Sequence, residues 1–141
     1  MKRLVLDTCV IVSAFRSQNG ASNALLAYAA EKRIIPLLSA ALFFEYESVM
    51  MRPEQVAVHN LTSAQIQKAL DGLASVSEIV NVNFSWRPQL RDPNDEMVLD
   101  LAVNGRADAL ITHNVRDFEP AAQSFGLKIL TPSEFLKGMM Q

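Results

Sequence analysis

Residues 3–15 have the sequence RLVLDTCVIVSAF, and this stretch decides the fold class. Its first four residues, Arg3 to Leu6, form a short apolar run that predicts a buried β-strand. The apolar residues then continue into a helix that begins at Thr8. Asp7 stands at the junction, where its charge lies next to the core. Such an aspartate either caps the helix or binds a ligand.

The same alternation of short apolar runs and longer helical patterns continues along the chain. Four further strands are predicted, at residues 34–38, 78–82, 108–112 and 128–130. The later helical patterns cover residues 22–33, 40–51, 62–74, 92–104, 118–125 and 132–140. Alternating strands and helices are typical of β-α units. The sequence therefore predicts a three-layer α/β/α sandwich with a parallel sheet of about five strands.

Composition narrows the class of protein but not its partner. The 141 residues fit a single domain, residues 1–141, with one core. One cysteine excludes an internal disulfide framework, and Asp7 interrupts the first apolar stretch before it could be a secretory or spanning segment. We therefore expect a cytoplasmic protein. The net charge of −2 shows no overall basic field, yet metal ions between carboxylates and a phosphate would still allow an anion to bind.

Four acidic residues are expected at one edge of the predicted sheet. Asp7 follows the first strand, and Asp117 lies in the loop after the fourth. Glu45 flanks the apolar stripe of the helix that follows the second strand, and Asp95 lies in the first turn of the helix before the fourth. Asp100 falls on the opposite side of that helix and is expected to be solvent-exposed. Ligands of parallel sheets bind at the carboxyl ends of the strands, and we expect these four acids to converge there.

A cluster of like charges near a core requires a proton or a cation to neutralise it. Ligand sets made only of oxygen atoms suit Mg²⁺ or Mn²⁺. The four acids therefore predict a divalent metal site.

Each acid also has a structural explanation. Asp7 could cap the helix that follows it, and Asp95 could form a capping box with Asp92. Asp117 could cap the helix of residues 118–125. Glu45 lies within a helix and caps nothing. The expected placement of all four acids at one edge of the sheet favours a shared binding site, because four independent helix caps need not lie at the same edge.

Other polar residues near these acids have less specific roles. His59 and His113 are expected to be solvated residues between regular elements. Cys9 is expected to be a small buried residue rather than a nucleophile. Ser13 and Thr112 either hydrogen-bond the acids or cap turns.

Four segments together resemble a known family: LDTCVIVSAF, LLSAALFFEYESVM, RDPNDEMVLDLAVNGRADALITHNVRDF and ILTPSEFL. In this order and spacing they resemble the PIN-domain ribonucleases, most closely the small bacterial members that act as toxins of toxin-antitoxin pairs. The resemblance implies that Asp7, Glu45, Asp95 and Asp117 hold Mg²⁺ or Mn²⁺ and carry catalysis. It also implies an RNA substrate, a cognate antitoxin protein, a homodimer and no membrane partner.

Two positions depart from the family pattern. Many members carry asparagine where this chain has Cys9, and some carry aspartate where it has Asn114. The first departure removes or replaces a hydrogen bond near Asp7. The second makes Asp117 our choice for the fourth acid.

Three functions follow as hypotheses. The first is metal-dependent hydrolysis of RNA, with Arg16, Arg91 and Arg116 as candidate contacts to backbone phosphates. Phosphoaspartyl transfer is a second, but such enzymes resemble a D-x-D pattern, and this chain lacks the second carboxylate at Cys9. The third is a catalytically weak PIN-like domain that binds protein or RNA. Metal binding distinguishes the first from the third.

Overall fold

The computed structural model describes residues 1–83, 85 and 90–139. Its strands are β1 (Lys2–Leu6), β2 (Ile34–Leu38), β3 (Glu78–Ile79), β4 (Ala109–Ile111) and β5 (Ile129–Leu130). Its helices are α1 (Thr8–Arg16), α2 (Ala21–Ala30), α3 (Ala40–Met50), α4 (Pro53–His59), α5 (Ser63–Ser75), α6 (Pro93–Asn104), α7 (Val115–Phe125) and α8 (Pro132–Met139). The final residue of the predicted helix 132–140, Met140, lies outside the described residues.

The strands form one parallel sheet in the order β3-β2-β1-β4-β5, which confirms the predicted fold class. From β1 the chain moves outward to β2 and β3, then returns across the sheet to β4 and β5. Because such crossovers are right-handed, the return places α6 and α7 on the face opposite α1 to α5. The observed packing agrees, since α1 contacts α2 and α3, whereas α6 contacts α7.

The reversal of strand order creates a switch point between β1 and β4. Open parallel sheets bind ligands outside the carboxyl ends of the strands at such a point. Asp7 follows β1 here, and Thr112 follows β4. The backbone N–H of Asp7 donates to the carbonyl of Ile111 at 2.9 Å, which fixes the two strand ends side by side.

Several helix boundaries follow directly from local sequence. Ser39 caps α3 through Leu42 N–H at 3.1 Å, and Thr62 forms a capping box with Gln65 at the start of α5. Gly126 ends α7 in the left-handed conformation, with φ of 63°.

Three predictions about individual elements were wrong. β3 has two residues instead of five, because it is the exposed edge of the sheet. α7 begins at Val115, so Asp117 lies in its first turn and Asn114 takes the N-cap position. His59 does not lie between helices: it ends α4, a helix that buries none of its residues.

One prediction about a side chain on α6 was also wrong. Asp100 is buried, with 4 % of its surface exposed, because α6 is covered on more than one side. Gly105 follows α6 with φ of −83° and is not left-handed. Its role is steric: a Cβ there would lie 2.8 Å from Cδ1 of Leu37 in the core.

No helix in the described ranges is long and apolar enough to cross a membrane.

Candidate active site

Asp7 is the carboxylate that directly follows β1 at the switch point. It is buried, with 6 % of its surface exposed, and it is the N-cap of α1. Its Oδ1 accepts the backbone N–H of Thr8 at 2.8 Å, which confirms the capping role. Its second oxygen, Oδ2, is engaged by side chains from two different segments. Asp7 therefore caps a helix and also points a carboxylate toward β4.

Thr112 and Cys9 hold that second oxygen. The buried Thr112 hydroxyl donates to Asp7 Oδ2 at 2.7 Å, while its own oxygen accepts the Asn114 backbone N–H at 3.0 Å. Because the oxygen receives that N–H, the hydroxyl proton is directed to the carboxylate. The Cys9 thiol adds a second donor at 3.4 Å. A thiol thus replaces the hydrogen bond that asparagine was expected to supply.

The Cys9 thiol keeps its proton at neutral pH. Burial raises its pKa to about 11, and the negative charge of Asp7 adds to the effect. A protonated thiol is a donor and not a nucleophile, as the sequence indicated.

Asp95 lies in the first turn of α6 and is affected by neighbouring negative charges. Its pKa is raised from 3.8 to about 6, chiefly by burial. The charges that raise it further belong to Asp7, Asp92, Asp117 and Glu96. Asp92 caps α6 by accepting the Asn94 N–H at 2.9 Å. Asp95 makes no reciprocal bond to Asp92 in the described structure, so the capping box is absent.

Asp117 is exposed on α7, and Glu45 is half-buried on α3. Asp7 and Asp117 each raise the pKa of Asp95 through their negative charge. No interaction in the described part of the chain joins Glu45 to these three. Asp95 therefore lies within electrostatic range of Asp7 and Asp117, and the roles of all four acids, Glu45 included, stay predictions.

An open cavity of about 660 Å³ lies beside these acids. We call it the acidic cavity; its charged lining consists of Arg91, Asp92, Asp95, Arg116 and Asp117. Two guanidinium groups beside carboxylates are suited to a phosphate that a cation bridges to the acids.

The donor set fits a hard divalent cation in its chemistry. Asp7, Asp95 and Asp117 offer only oxygen atoms, and neither Asp95 nor Asp117 has a hydrogen-bond donor among the described residues. Across residues 1–83, 85 and 90–139, no three acidic, histidine or cysteine side chains are spaced to enclose a metal ion. Mg²⁺ does not require such a cage, because it keeps several waters and uses one or two carboxylates with substrate phosphates.

The sequence left two roles equally open for Thr112, a hydrogen bond to one of the acids or a turn cap. Its position directly after β4 was the available signal for a contact with Asp7. That signal could be used only if the pairing of β4 with β1 was already known. Tyr46 is buried in the core, and its hydroxyl donates to the Leu6 carbonyl just before Asp7. Burial raises its pKa well above the ordinary value, so the phenol remains a donor.

Comparison with known proteins agrees with this architecture. The family model described as "PIN domain" matches residues 3–116, which include Asp7, Glu45 and Asp95 and stop one residue before Asp117. An uncharacterized protein of Methanocaldococcus jannaschii is 27 % identical over 142 residues, covering 96 % of this chain and 90 % of its relative.

A similar solved structure is VapBC2 from Rickettsia felis bound to a DNA fragment from their promoter. The two chains share 20 % identity and a TM-score of 0.62, over 91 % of this chain and 96 % of that one. This likeness supports the fold. PIN domains are generally nucleases and typically use divalent metal ions. The family model covers most of the sequence, and the chain belongs to the PIN domain family.

Proposed function

We propose that this protein is a Mg²⁺- or Mn²⁺-dependent endoribonuclease. The observation that supports the proposal is Asp95, a carboxylate that lines the acidic cavity of a PIN-domain sheet and whose pKa is raised chiefly by burial and further by the negative charges of Asp7 and Asp117. Carboxylates that repel each other bind a cation favourably. We include Glu45 as a fourth ligand, because it is a half-buried carboxylate with no donor of its own in the described structure.

The chain's own residues would orient the reaction. Asp7, Glu45, Asp95 and Asp117 would hold the ion, which when bound lowers the pKa of a water and neutralises charge on phosphate oxygens. Thr112 and Cys9 fix the direction of Asp7 Oδ2. Arg91 and Arg116 would hold the phosphate in the acidic cavity.

We also propose that the enzyme is the toxin of a toxin-antitoxin pair, acting in the cytoplasm as a single-domain homodimer. The similarity to VapBC2, a toxin-antitoxin complex, supports this role at the level of fold. A cognate antitoxin would lay an extended or helical segment against the acidic cavity or an apolar helix face. The single cysteine fits a reducing compartment.

The test is cleavage of single-stranded RNA by the purified protein. We expect cleavage with Mg²⁺ or Mn²⁺, none in EDTA, and loss of cleavage in Asp7→Asn and in Asp95→Asn. Asp71→Asn is the matched control, because it removes an exposed carboxylate on α5. Activity that survives EDTA, or survives both site substitutions, would refute the mechanism.

A second candidate is a catalytically weak PIN-like domain that binds protein or RNA. The absence of three closely spaced ligands among the described residues favours it. Calorimetry with Mn²⁺ separates the two functions. The nuclease requires Mn²⁺ binding at neutral pH that weakens as protons compete for the carboxylates, and the binding module does not.

A further inference from the structure

A second open cavity, of about 440 Å³, lies on the side of Asp7 that faces α1. Its polar lining consists of Thr8, Cys9, Ser13, Arg16, Gln55 and His113, and two valine side chains complete the wall. We call this cavity the acid-free groove, because no carboxylate of the described residues lines it. Its volume is in the range of about 300–1,000 Å³ that ligand pockets occupy.

The acid-free groove adjoins the acids of the proposed site. Thr8 and Cys9 line it, and both donate to Asp7, at 2.8 and 3.4 Å respectively. Asp7 in turn raises the pKa of Asp95 in the acidic cavity. Asp7 therefore contacts two residues of the acid-free groove and acts through its charge on Asp95 in the acidic cavity.

The two cavities differ in charge. The acidic cavity holds two guanidinium groups and three carboxylates, so without a cation it repels a polyanion. The acid-free groove holds one guanidinium group together with hydroxyl and amide donors. A phosphodiester that does not contact metal is favoured in the second cavity.

Two side chains of the groove are held in place. The Arg16 Nε donates to Gln55 Oε1 at 3.2 Å, which leaves the terminal guanidinium nitrogens and the Gln55 amide nitrogen to face a ligand. His113 Nε2 lies 3.3 Å from the hydroxyl of Ser22, a residue with only 2 % of its surface exposed. A guanidinium and an imidazole that are already oriented lose less entropy on binding.

We propose that the acid-free groove binds the nucleotide next to the scissile phosphate of a single-stranded RNA. Arg16 and Gln55 hold its phosphate, and the His113 ring stacks on its base. This inference rests on the proposed ribonuclease function. It assigns the path of the strand: one phosphate in the acidic cavity, the next nucleotide on the α1 side of Asp7.

The test measures binding of a short fluorescein-labelled single-stranded RNA by anisotropy, in EDTA at pH 8 and over a series of salt concentrations. Arg16→Gln is expected to weaken binding about 3- to 10-fold and to lower the salt slope by about 0.7, the value for one phosphate contact. Lys68→Gln is the matched control, since it removes an exposed charge on α5 and should leave the slope unchanged.

His113→Ala provides an independent measurement on the same RNA. It is expected to weaken binding with no change in salt slope, because a stacked neutral ring releases no counterion. Circular dichroism and thermal unfolding establish that each variant is folded. Arg16→Gln with the salt slope of wild type, or His113→Ala with wild-type affinity, overturns the assignment.

Cleavage kinetics distinguish failure of the groove from failure of the proposed function. If wild type cleaves RNA, Arg16→Gln should raise KM with little change in kcat, and an unchanged KM overturns the groove. If wild type does not cleave, the proposed function fails. RNA binding by the groove is then judged separately, from the difference in RNA affinity between Arg16→Gln and Lys68→Gln.

Discussion

Replacing Thr112 by valine should remove the side-chain hydrogen bond between the ends of β1 and β4 and leave their backbone pairing in place. The Thr112 side chain is fully buried and bridges Asp7 Oδ2 at 2.7 Å and the Asn114 N–H at 3.0 Å. Valine has nearly the same shape, so no cavity forms. The change therefore isolates the hydroxyl.

The expected loss of stability is about 2–3 kcal/mol. A hydrogen bond to a charged group contributes about 1.5–3 kcal/mol, and the freed Asn114 N–H adds a smaller penalty because that residue is exposed. For a chain of this length the loss corresponds to a decrease in Tm of about 6–12 °C. Proposed Mn²⁺ affinity and RNA cleavage should fall about 10- to 100-fold, since Asp7 loses the donor that orients it.

Urea unfolding, Mn²⁺ calorimetry and RNA cleavage on Thr112→Val and Thr112→Ser provide the assay. Thr112→Ser keeps the hydroxyl and loses one buried methyl group, which costs about 1 kcal/mol. We expect it to retain metal affinity. If Thr112→Val is no less stable than Thr112→Ser, the hydroxyl bridge does not contribute as described.

Two further predictions concern Asp95 and Gly105. The pKa of Asp95 is higher in the folded than in the unfolded protein, so ionisation of this carboxyl lowers the free energy of unfolding. This loss is absent below about pH 4, grows between about pH 4 and pH 6, and is constant above that. In EDTA, Asp95→Asn should therefore stabilise the protein more at pH 7.5 than at pH 4.5, by about 1 kcal/mol after allowance for solvent screening. Asp71→Asn should show no such difference. Equal effects of Asp95→Asn at the two pH values would contradict this prediction. Gly105→Ala should lose about 1–2 kcal/mol in urea unfolding, because its Cβ would meet Leu37. Gly72→Ala, with no atom near its Cβ, should gain about 0.5–1 kcal/mol, and equal effects at the two glycines would refute the steric argument.

The sequence predicted what depends on neighbouring residues. The strand before Asp7, the cap at the start of α1 and the caps of α3 and α5 follow from local pattern, and the structure has all of them. The parallel sheet followed from the alternation of elements.

Features that depend on distant packing were missed. Nothing in the apolar periodicity indicates α4, because that helix buries no residue. Asp100 was placed in solvent because the pattern shows only one apolar stripe on α6, whereas neighbouring segments cover its other side as well. The role of Thr112 depends on the pairing of β1 with β4, and no local signal encodes that pairing.

The bond between Thr112 and Asp7 spans 105 positions of the chain. During synthesis, Asp7 leaves the ribosome long before Thr112, together with its two local donors, the Thr8 N–H and the Cys9 thiol. The bond from the Thr112 hydroxyl to Asp7 Oδ2 forms only when β4 has been made and has inserted beside β1. A nascent chain therefore lacks its shortest hydrogen bond to the Asp7 carboxylate until translation is nearly complete.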